Sequence, residues 1–391
     1  MKIAMIGQKG VPAMTGGIER HVEELAFRLG RAGNNVLVYS RSWFAAPQKN
    51  PAINVTAVVT PTVRTKHLDA ITHTLTSTVH AIRSGSDIIH YHGVGPSLLS
   101  WIPRIFAPKT KVVATFHCID RKHDKWGVLA RTALLLGERA ACRFPHATIT
   151  VSRTLEAYCR DRFDRNVRYI PNGITPVTGK INTDRLAGFG LEPNRYLLMV
   201  SRMVRHKGQY RLIEAFRRLR TGGQANGLKL VLVGDSAFTD DYAEEIRSLA
   251  ENDPDIILTG NLTGEDLRQV FGHAYMAVHP SSSEGLPIAV LEAMAYGKAV
   301  LGSDIPEISE VIREHGFSFR NLDTNDLTER LGRLIAEPET VRITGQRAKA
   351  FVEANYDWDD VVAQTNGLYG EIAGKDAVTV GDESSKQAAV A

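Results

Sequence analysis

Short apolar runs alternate with stretches whose apolar residues recur every three or four positions, and this rhythm persists along nearly the whole chain. Residues 2–6 read as a buried strand, followed by Gly7-Gln8-Lys9-Gly10 and a loop through Pro12 to Gly16-Gly17. From Ile18 on, Val22, Leu25, Ala26 and Leu29 share one helix face, and Gly33-Asn34-Asn35 stops them before a strand at 36–39. Strand, glycine loop and helix make a Rossmann-like opening; the glycines lack G-x-G-x-x-G spacing, so no dinucleotide follows from them. A helix over 65–83 and strands over 87–92 and 111–115 extend the pattern. The second half begins afresh, with strands at 195–200, 228–234, 256–260, 277–279 and 299–302. Helices at 210–219, 242–249, 265–271 and 288–296 alternate with them, and another follows Pro306. Such alternation specifies parallel sheets with helices on both faces. At 391 residues the chain exceeds what one hydrophobic core serves, so two doubly wound α/β domains are expected.

Candidate chemistry gathers where apolar strands end in polar loops. Residues 277–303 pass from a strand through Ser281-Ser282-Ser283-Glu284-Gly285-Leu286 to Pro287, whose fixed φ and missing N–H suit the opening of a helix. A helix start presents unpaired N–H groups and the positive end of the dipole, on which a diphosphate can dock. Glu284 in the loop and Glu292, eight residues on, can each accept hydrogen bonds from a polyol, which suits a sugar and a ribose joined by phosphates. Arg202 and Lys207 bracket another strand-to-helix loop, a planar fork and a mobile point charge that can reach one diphosphate. Gly16-Gly17 lets backbone approach a ligand closely, or is simply a flexible loop. His117 ends its strand where open α/β sheets bind ligands. His90 and His92 point to one face of their strand, and with no third ligand evident they are expected to pack or to meet an acceptor, not a metal. Asp253-Pro254-Asp255 imitates a metal-binding triplet but precedes its strand, on the side away from ligands, so no metal is expected there.

Glu284 and Glu292, with Gly285-Leu286-Pro287 between them, resemble the Glu-x7-Glu signature of the retaining GT-B glycosyltransferases, particularly glycosyltransferase family 4. Arg202 and Lys207-Gly208 resemble that family's Gly-Arg-x4-Lys-Gly, with Ser201 where glycine is usual, and Pro171-Asn172-Gly173 resembles its link into the second domain. His117-x-x-Asp120 followed by Lys125-Trp126-Gly127 is similar to one subgroup's pattern, from which Cys118, Arg121 and His123 depart. The resemblance reaches to about residue 373 and implies GT-B architecture, two Rossmann-like domains facing a central cleft. Residues 1–175 would take the acceptor and 176–357 the nucleotide-sugar; a helix at 358–373 would cross back to the first domain, and 374–391 would be disordered. The implied activity is transfer of a sugar, with retention, from a nucleoside diphosphate sugar to a saccharide or lipid-linked saccharide, as in cell-surface polysaccharide or glycolipid synthesis, without metal or other cofactor. By the same resemblance His117 lies beside the transferred sugar and Glu284 holds one of its hydroxyls. Glu292 holds the ribose, Arg202, Lys207 and the N–H groups of Gly285 and Leu286 serve the diphosphate side, and Gly16 and Gly17 border acceptor and donor phosphate. The alternatives are a nucleotide-sugar epimerase of the same architecture and a catalytically silent, membrane-associated binding subunit.

Charge divides the chain: residues 1–180 carry 25 Lys and Arg against 11 Asp and Glu, and the remainder 22 against 32. A basic domain calls for an anionic partner, either phospholipid head groups or a phosphate-linked acceptor. Nucleic acid is not expected, since no helix-turn-helix, zinc-finger or RNA-binding signature shapes the charge. Within 104–143, Lys109, Lys111, Arg121, Lys122, Lys125, Arg131 and Arg139 are interleaved with Leu129, Ala133, Leu134, Leu135 and Leu136. That is the pattern of a basic amphipathic surface meeting an anionic membrane, and equally of a packed helix with a solvated face. Hydrophobic residues at 43% and charged residues at 23% exclude a mainly disordered chain. The three cysteines form no C-x-x-C pair, which fits packing roles in a reducing compartment. The apolar run 3–6 is too short for a signal-peptide core, and no later run reaches about 18 residues. The expected location is the cytoplasm, with peripheral attachment to the inner face of the cell membrane as the extension that the basic half allows.

Overall fold

The computed structural model describes residues 1–13, 16–44, 48–50, 53–65, 68–122, 126–236 and 240–374. His123 and Lys125 of the basic stretch, and the tail at 375–391, lie outside the described residues. The first half builds β1 Lys2–Ile6, α1 Gly17–Arg31, β2 Asn35–Arg41, β3 Gln48–Asn50, β4 Val55–Thr60, α2 Asp69–Arg83 and β5 Ile88–His92. It continues with α3 Val94–Ser97, α4 Trp101–Phe106, β6 Lys111–Phe116, α5 Val128–Arg143, β7 Ala147–Thr150, α6 Arg153–Phe163 and β8 Arg168–Tyr169. These strands form one sheet in the order β3-β4-β2-β1-β5-β6-β7-β8, parallel except at β3.

The second half builds β9 Tyr196–Val200, α7 Gln209–Thr221, β10 Lys229–Val233, α8 Asp240–Ala250, β11 Ile256–Gly260, α9 Gly264–Gly272 and β12 Met276–His279. Then come α10 Ile288–Ala295, β13 Val300–Ser303, α11 Pro306–Ile312, β14 Phe317–Phe319, α12 Thr324–Ala336, α13 Pro338–Asn355 and α14 Trp358–Ala373. Its all-parallel sheet runs β11-β10-β9-β12-β13-β14, the doubly wound order 3-2-1-4-5-6. Central strands such as β1 and β10 are covered on both faces, which is why they read as unbroken apolar runs.

The helix expected over 65–83 starts at Asp69 instead. Thr65 Oγ1 and the Thr65 carbonyl accept the N–H groups of Leu68 and Asp69, so Thr65 stands at the entrance to the helix and not within it. The Asp69 carboxylate is then drawn inward by Arg41, Trp43 Nε1 and Thr62 Oγ1. At the domain junction the chain passes twice: Ile174 bridges Asp357, and Trp358 packs so closely on Gly173 that a Cβ there would lie 2.7 Å from the indole. From that crossing α14 lies along α1, with Tyr369 bonded to His90, Asn366 to Asn34 and Glu371 to Arg168. One apolar cluster runs unbroken across the junction, from Phe116 and Ile119 to Leu286 and Val290.

Candidate active site

Each sheet reverses its strand order at one place, between β1 and β5 in the first and between β9 and β12 in the second. Loops leaving the carboxyl ends of strands at such points diverge and leave a crevice between them. In the first domain the elements around this edge supply Gly16, Gly17, His92 and His117; in the second they supply Arg202, Lys207 and Glu284.

The second-domain loops are stitched to one another. Ser282 N and Ser281 Oγ both donate to the carbonyl of His206, and Gly208 lies so close to Pro280 that a Cβ would meet its carbonyl oxygen at 2.5 Å. Gln209 anchors the start of the same loop by donating to Ser201 Oγ and the Arg202 carbonyl. This brings Lys207 Nζ to 2.5 Å from Glu284 Oε1, while His279 Nε2 donates to the same oxygen at 2.7 Å. Burial alone would raise the Glu284 carboxyl, but the Lys207 charge and the His279 hydrogen bond prevail and hold it well below the usual carboxylate range. Glu284 is therefore an ionised, acceptor-only group at neutral pH. Pro287 is the N-cap of α10, one position outside the helix it was expected to begin. Glu292 lies in the second turn of α10, its oxygen 4.0 Å from Arg20 Nε of the first domain. Arg20, Glu292, Ile288, Tyr296 and Trp358 line a small cavity between the domains, and burial there raises the Glu292 carboxyl against the pull of Arg20.

The first-domain side is a cluster of imidazoles. His90 and His92 stack with ring centres 4.0 Å apart, as two residues on one strand face can, and His90 is bonded at both nitrogens, to Tyr369 and Thr115. His117 Nε2 lies 3.2 Å from His92 Nδ1. The expectation that β5 histidines lack a third partner is corrected here: His21 enters from α1, its ring 4.8 Å from that of His117. Burial lowers His21 to about 4 and holds His92 and His117 well below the ordinary imidazole value, so all three are neutral near pH 7. Beside them Gly16 caps α1 with φ 96°, where a Cβ would strike Glu19, whereas a Cβ on Gly17 would meet only Ile288 Cδ1, at 3.8 Å. Arg121, which departs from the sequence pattern, is bonded to buried Glu138 and to Tyr158.

The two sides meet at Gly285, where a Cβ would lie 1.5 Å from the His117 carbonyl oxygen and 3.3 Å from Cys118 Cβ. Asn172, in the connection between the domains, donates Nδ2–H to the Leu286 carbonyl at 2.8 Å and accepts from His21 Nδ1 at 2.8 Å. Arg202 also faces this junction, since its charge reaches the Cys118 thiol, which burial and Asp120 push up and Arg202 pulls down. Thus the junction between the domains brings together His117 and Gly285, the Lys207–Glu284 pair, Leu286 through Asn172, and Glu292 through Arg20, with Gly16 and Gly17 at the start of the helix that carries Arg20 and with Arg202 within charge reach of Cys118. Sequence reasoning missed His21, Asn172, His279 and Arg20. Only His21 carried a usable signal, lying one helical turn beyond Gly17 on the same face. Asp253 of the Asp-x-Asp triplet accepts from Arg217 and Arg220, on the far edge of the second sheet.

Comparison with known proteins agrees with the two-domain fold. Residues 15–177 match the family Glycosyltransferase Family 4, and residues 187–351 match Glycosyl transferases group 1. The alpha-maltose-1-phosphate synthase of Mycobacterium tuberculosis is 28% identical over 95% of this chain and 100% of its own length. Among solved structures, the sucrose-phosphate synthase of Thermosynechococcus elongatus superposes with a TM-score of 0.82 at 21% identity, over 95% of this chain and 99% of that one. Anabaena Alr3699/HepE, solved with UDP-glucose, superposes with a TM-score of 0.77 at 20% identity, over 95% of this chain and 100% of that one.

Proposed function

The chain is a glycosyltransferase of GT-B fold, with a family 4 first domain and a group 1 second domain, and from this we propose that it moves a sugar, with retention, from a nucleoside diphosphate sugar to a saccharide or lipid-linked saccharide. The observation that carries the reading is Glu284, ionised and held by Lys207 and His279, next to Gly285, whose backbone packs on the carbonyl of neutral His117. A diphosphate seated at the start of α10 lies within reach of Arg202 and Lys207, whose charges stabilise it as it departs. Glu284 accepts from a sugar hydroxyl, and neutral His117 has a nitrogen for another. Glu292 accepts from the ribose. The departing diphosphate is stabilised in place, so no pair of carboxylates of the kind used in glycoside hydrolysis is required. A uridine nucleotide is supported by the Anabaena neighbour bound to UDP-glucose. A saccharide acceptor is supported by the relatives named for maltose-1-phosphate and lipopolysaccharide synthesis. Thermal shift across a panel of nucleotide sugars, followed by product analysis, tests this: one donor should stabilise the protein and yield an α- or β-product matching its own anomer. An epimerised donor formed without acceptor would replace this reading with the epimerase.

A membrane-borne acceptor is part of the proposal. No helix among the described residues is long and apolar enough to cross a membrane. Val128 and Leu129 at the start of α5 are each 85% exposed, and Leu136 continues their stripe beside exposed Arg131, Arg139 and Arg143. Ile105 and Phe106 of α4 are exposed too, and Arg104 contacts His146 just beyond α5. Apolar residues flanked by cations fit the interface of an anionic bilayer. The protein is expected to co-sediment with phosphatidylglycerol vesicles at low salt and not with phosphatidylcholine, and Leu129→Glu with Phe106→Glu should lower the bound fraction at least about five-fold. Equal sedimentation with both lipids, or with neither, removes the membrane from the reading.

A further inference from the structure

More buried imidazoles converge on the cleft than sugar transfer employs. His90 is fully occupied by Tyr369 and Thr115, but His21, His92 and His117 are not. His92 Nδ1 and His117 Nε2 face each other at 3.2 Å, a separation at which one proton sits between two nitrogen lone pairs. That is also about the spacing of two ligands on one tetrahedral ion, since Zn–N bonds of about 2.0–2.1 Å put neighbouring nitrogens roughly 3.3–3.4 Å apart. His21 completes the triangle, one nitrogen from each of the three rings lying within 4.8 Å of the others.

The tautomer of His21 is set by its neighbours. Asn172 gives its NH2 to the Leu286 carbonyl, so its oxygen faces His21 and Nδ1 must carry the proton. Nε2 is left as the lone-pair nitrogen. An imidazole whose second N–H is held by an oxygen is the usual supported form of a metal ligand. The three rings come from separate rigid elements, α1, β5 and the end of β6, and each is less than a tenth exposed. The group is all nitrogen, which suits zinc, copper or nickel and not the oxygen-seeking Mg²⁺ or Ca²⁺.

We infer that His21, His92 and His117 form a three-imidazole site for a borderline transition cation, Zn²⁺ foremost, which blocks the sugar-binding side of the cleft when it binds. Loading requires His21 to close in by up to about 1.5 Å to reach tetrahedral spacing. The proton in the His92–His117 contact passes to the far nitrogen of the ring that carries it, so none is gained or lost overall. For His92 that far nitrogen is Nε2, buried and without a partner among the described residues, so the hydrogen bond given up on that ring is the His92–His117 contact itself. A fourth ligand enters from the cleft, on the side of His117. The blocking effect rests on the proposed role of His117 beside the sugar; the binding of the ion does not.

The test uses full-length, metal-free protein with no affinity tag, titrated with Zn²⁺ by calorimetry and with Co²⁺ by visible absorption. One equivalent should bind, with the intense bands of tetrahedral Co²⁺ appearing and then discharged by Zn²⁺, and Zn²⁺ should raise the unfolding temperature of the wild-type protein. His21→Gln and His92→Gln should each weaken Zn²⁺ binding at least about ten-fold, and Asn172→Ala, which frees the His21 tautomer and also gives up the bond to the Leu286 carbonyl, by a similar factor. Circular dichroism of each variant separates lost ligation from lost folding. Absence of stoichiometric binding to the wild-type protein, or undiminished affinity in both histidine variants, overturns the site. Binding that leaves sugar transfer at full rate overturns the blocking role. A protein that binds Zn²⁺ as described yet transfers no sugar counts against the proposed function and leaves the metal site standing.

Discussion

Replacing Lys207 by alanine is expected to lower kcat for sugar transfer by about 10²- to 10³-fold, as losing one donor to a developing anion does elsewhere. Two losses coincide in this variant. The cation paired with Glu284 disappears, and Glu284, only 8% exposed at its side chain, keeps His279 as its one remaining partner among the described residues. Removing one member of a buried ion pair is costly because the other charge stays behind, so stability at pH 7 should also fall, on the order of 2–3 kcal/mol with His279 still in place. The sign follows from linkage. Glu284 in the folded protein lies well below its unfolded value of about 4.3, so its contribution is fully present above that pH and is lost as pH falls through the lower folded value. Without Lys207 the folded value rises, and the stabilisation seen at neutral pH shrinks. Steady-state kinetics with saturating acceptor, together with thermal unfolding at pH 7 and pH 4, measures both effects. The difference between wild type and variant should narrow at the lower pH. Near-native turnover in Lys207→Ala would remove the charge argument altogether.

Gly285→Ala is expected to be at least as damaging for a different reason. The added Cβ would lie 1.5 Å from the His117 carbonyl oxygen, where 3.0 Å is about the limit for real Cβ contacts. Both partners are backbone, so no rotamer relieves the clash, and the domains must part by roughly 1.5 Å or more. Parting them moves His117 away from Glu284 and strains the Asn172 bond to the Leu286 carbonyl. A misplacement of about 1 Å in a catalytic arrangement costs on the order of 10²-fold. The variant should therefore lose that much in kcat while donor affinity, which the proposed function assigns mainly to the second domain, changes little. Donor titration by thermal shift alongside kinetics separates the two. A fully active Gly285→Ala enzyme would mean that the contact between His117 and Gly285 is not part of the working state.

What the chain disclosed before folding, and what it withheld, follows from the distance over which each feature is encoded. Strands such as β1 were legible to the residue because they are buried and end at a turn residue, here Gly7, both local properties. The start of α2 was not, because apolar periodicity does not register where Thr65 takes up the entering N–H groups. Glu284 and Lys207 each stood out at the mouth of a strand, yet their ion pair joins residues 77 apart and exists only because β12 lies next to β9. Nothing local reports that crossover. The imidazole cluster was hidden for the same reason: His21 and Asn172 are 151 positions apart, and three separate elements converge on one point. Pro171-Asn172-Gly173 resembled a link into the second domain, and its asparagine proves to be the piece that ties the Leu286 backbone to His21.

The double passage of the chain at Ile174 and Trp358 bears on how such enzymes could be recombined. A chimaera assembled by swapping everything beyond residue 175 would import a foreign α14 and lose the matched seats of Tyr369 on His90, Asn366 on Asn34 and Glu371 on Arg168. Exchange of donor preference between homologues therefore calls for two splice points, with the last helix travelling with the amino-terminal half although it is encoded at the opposite end of the reading frame.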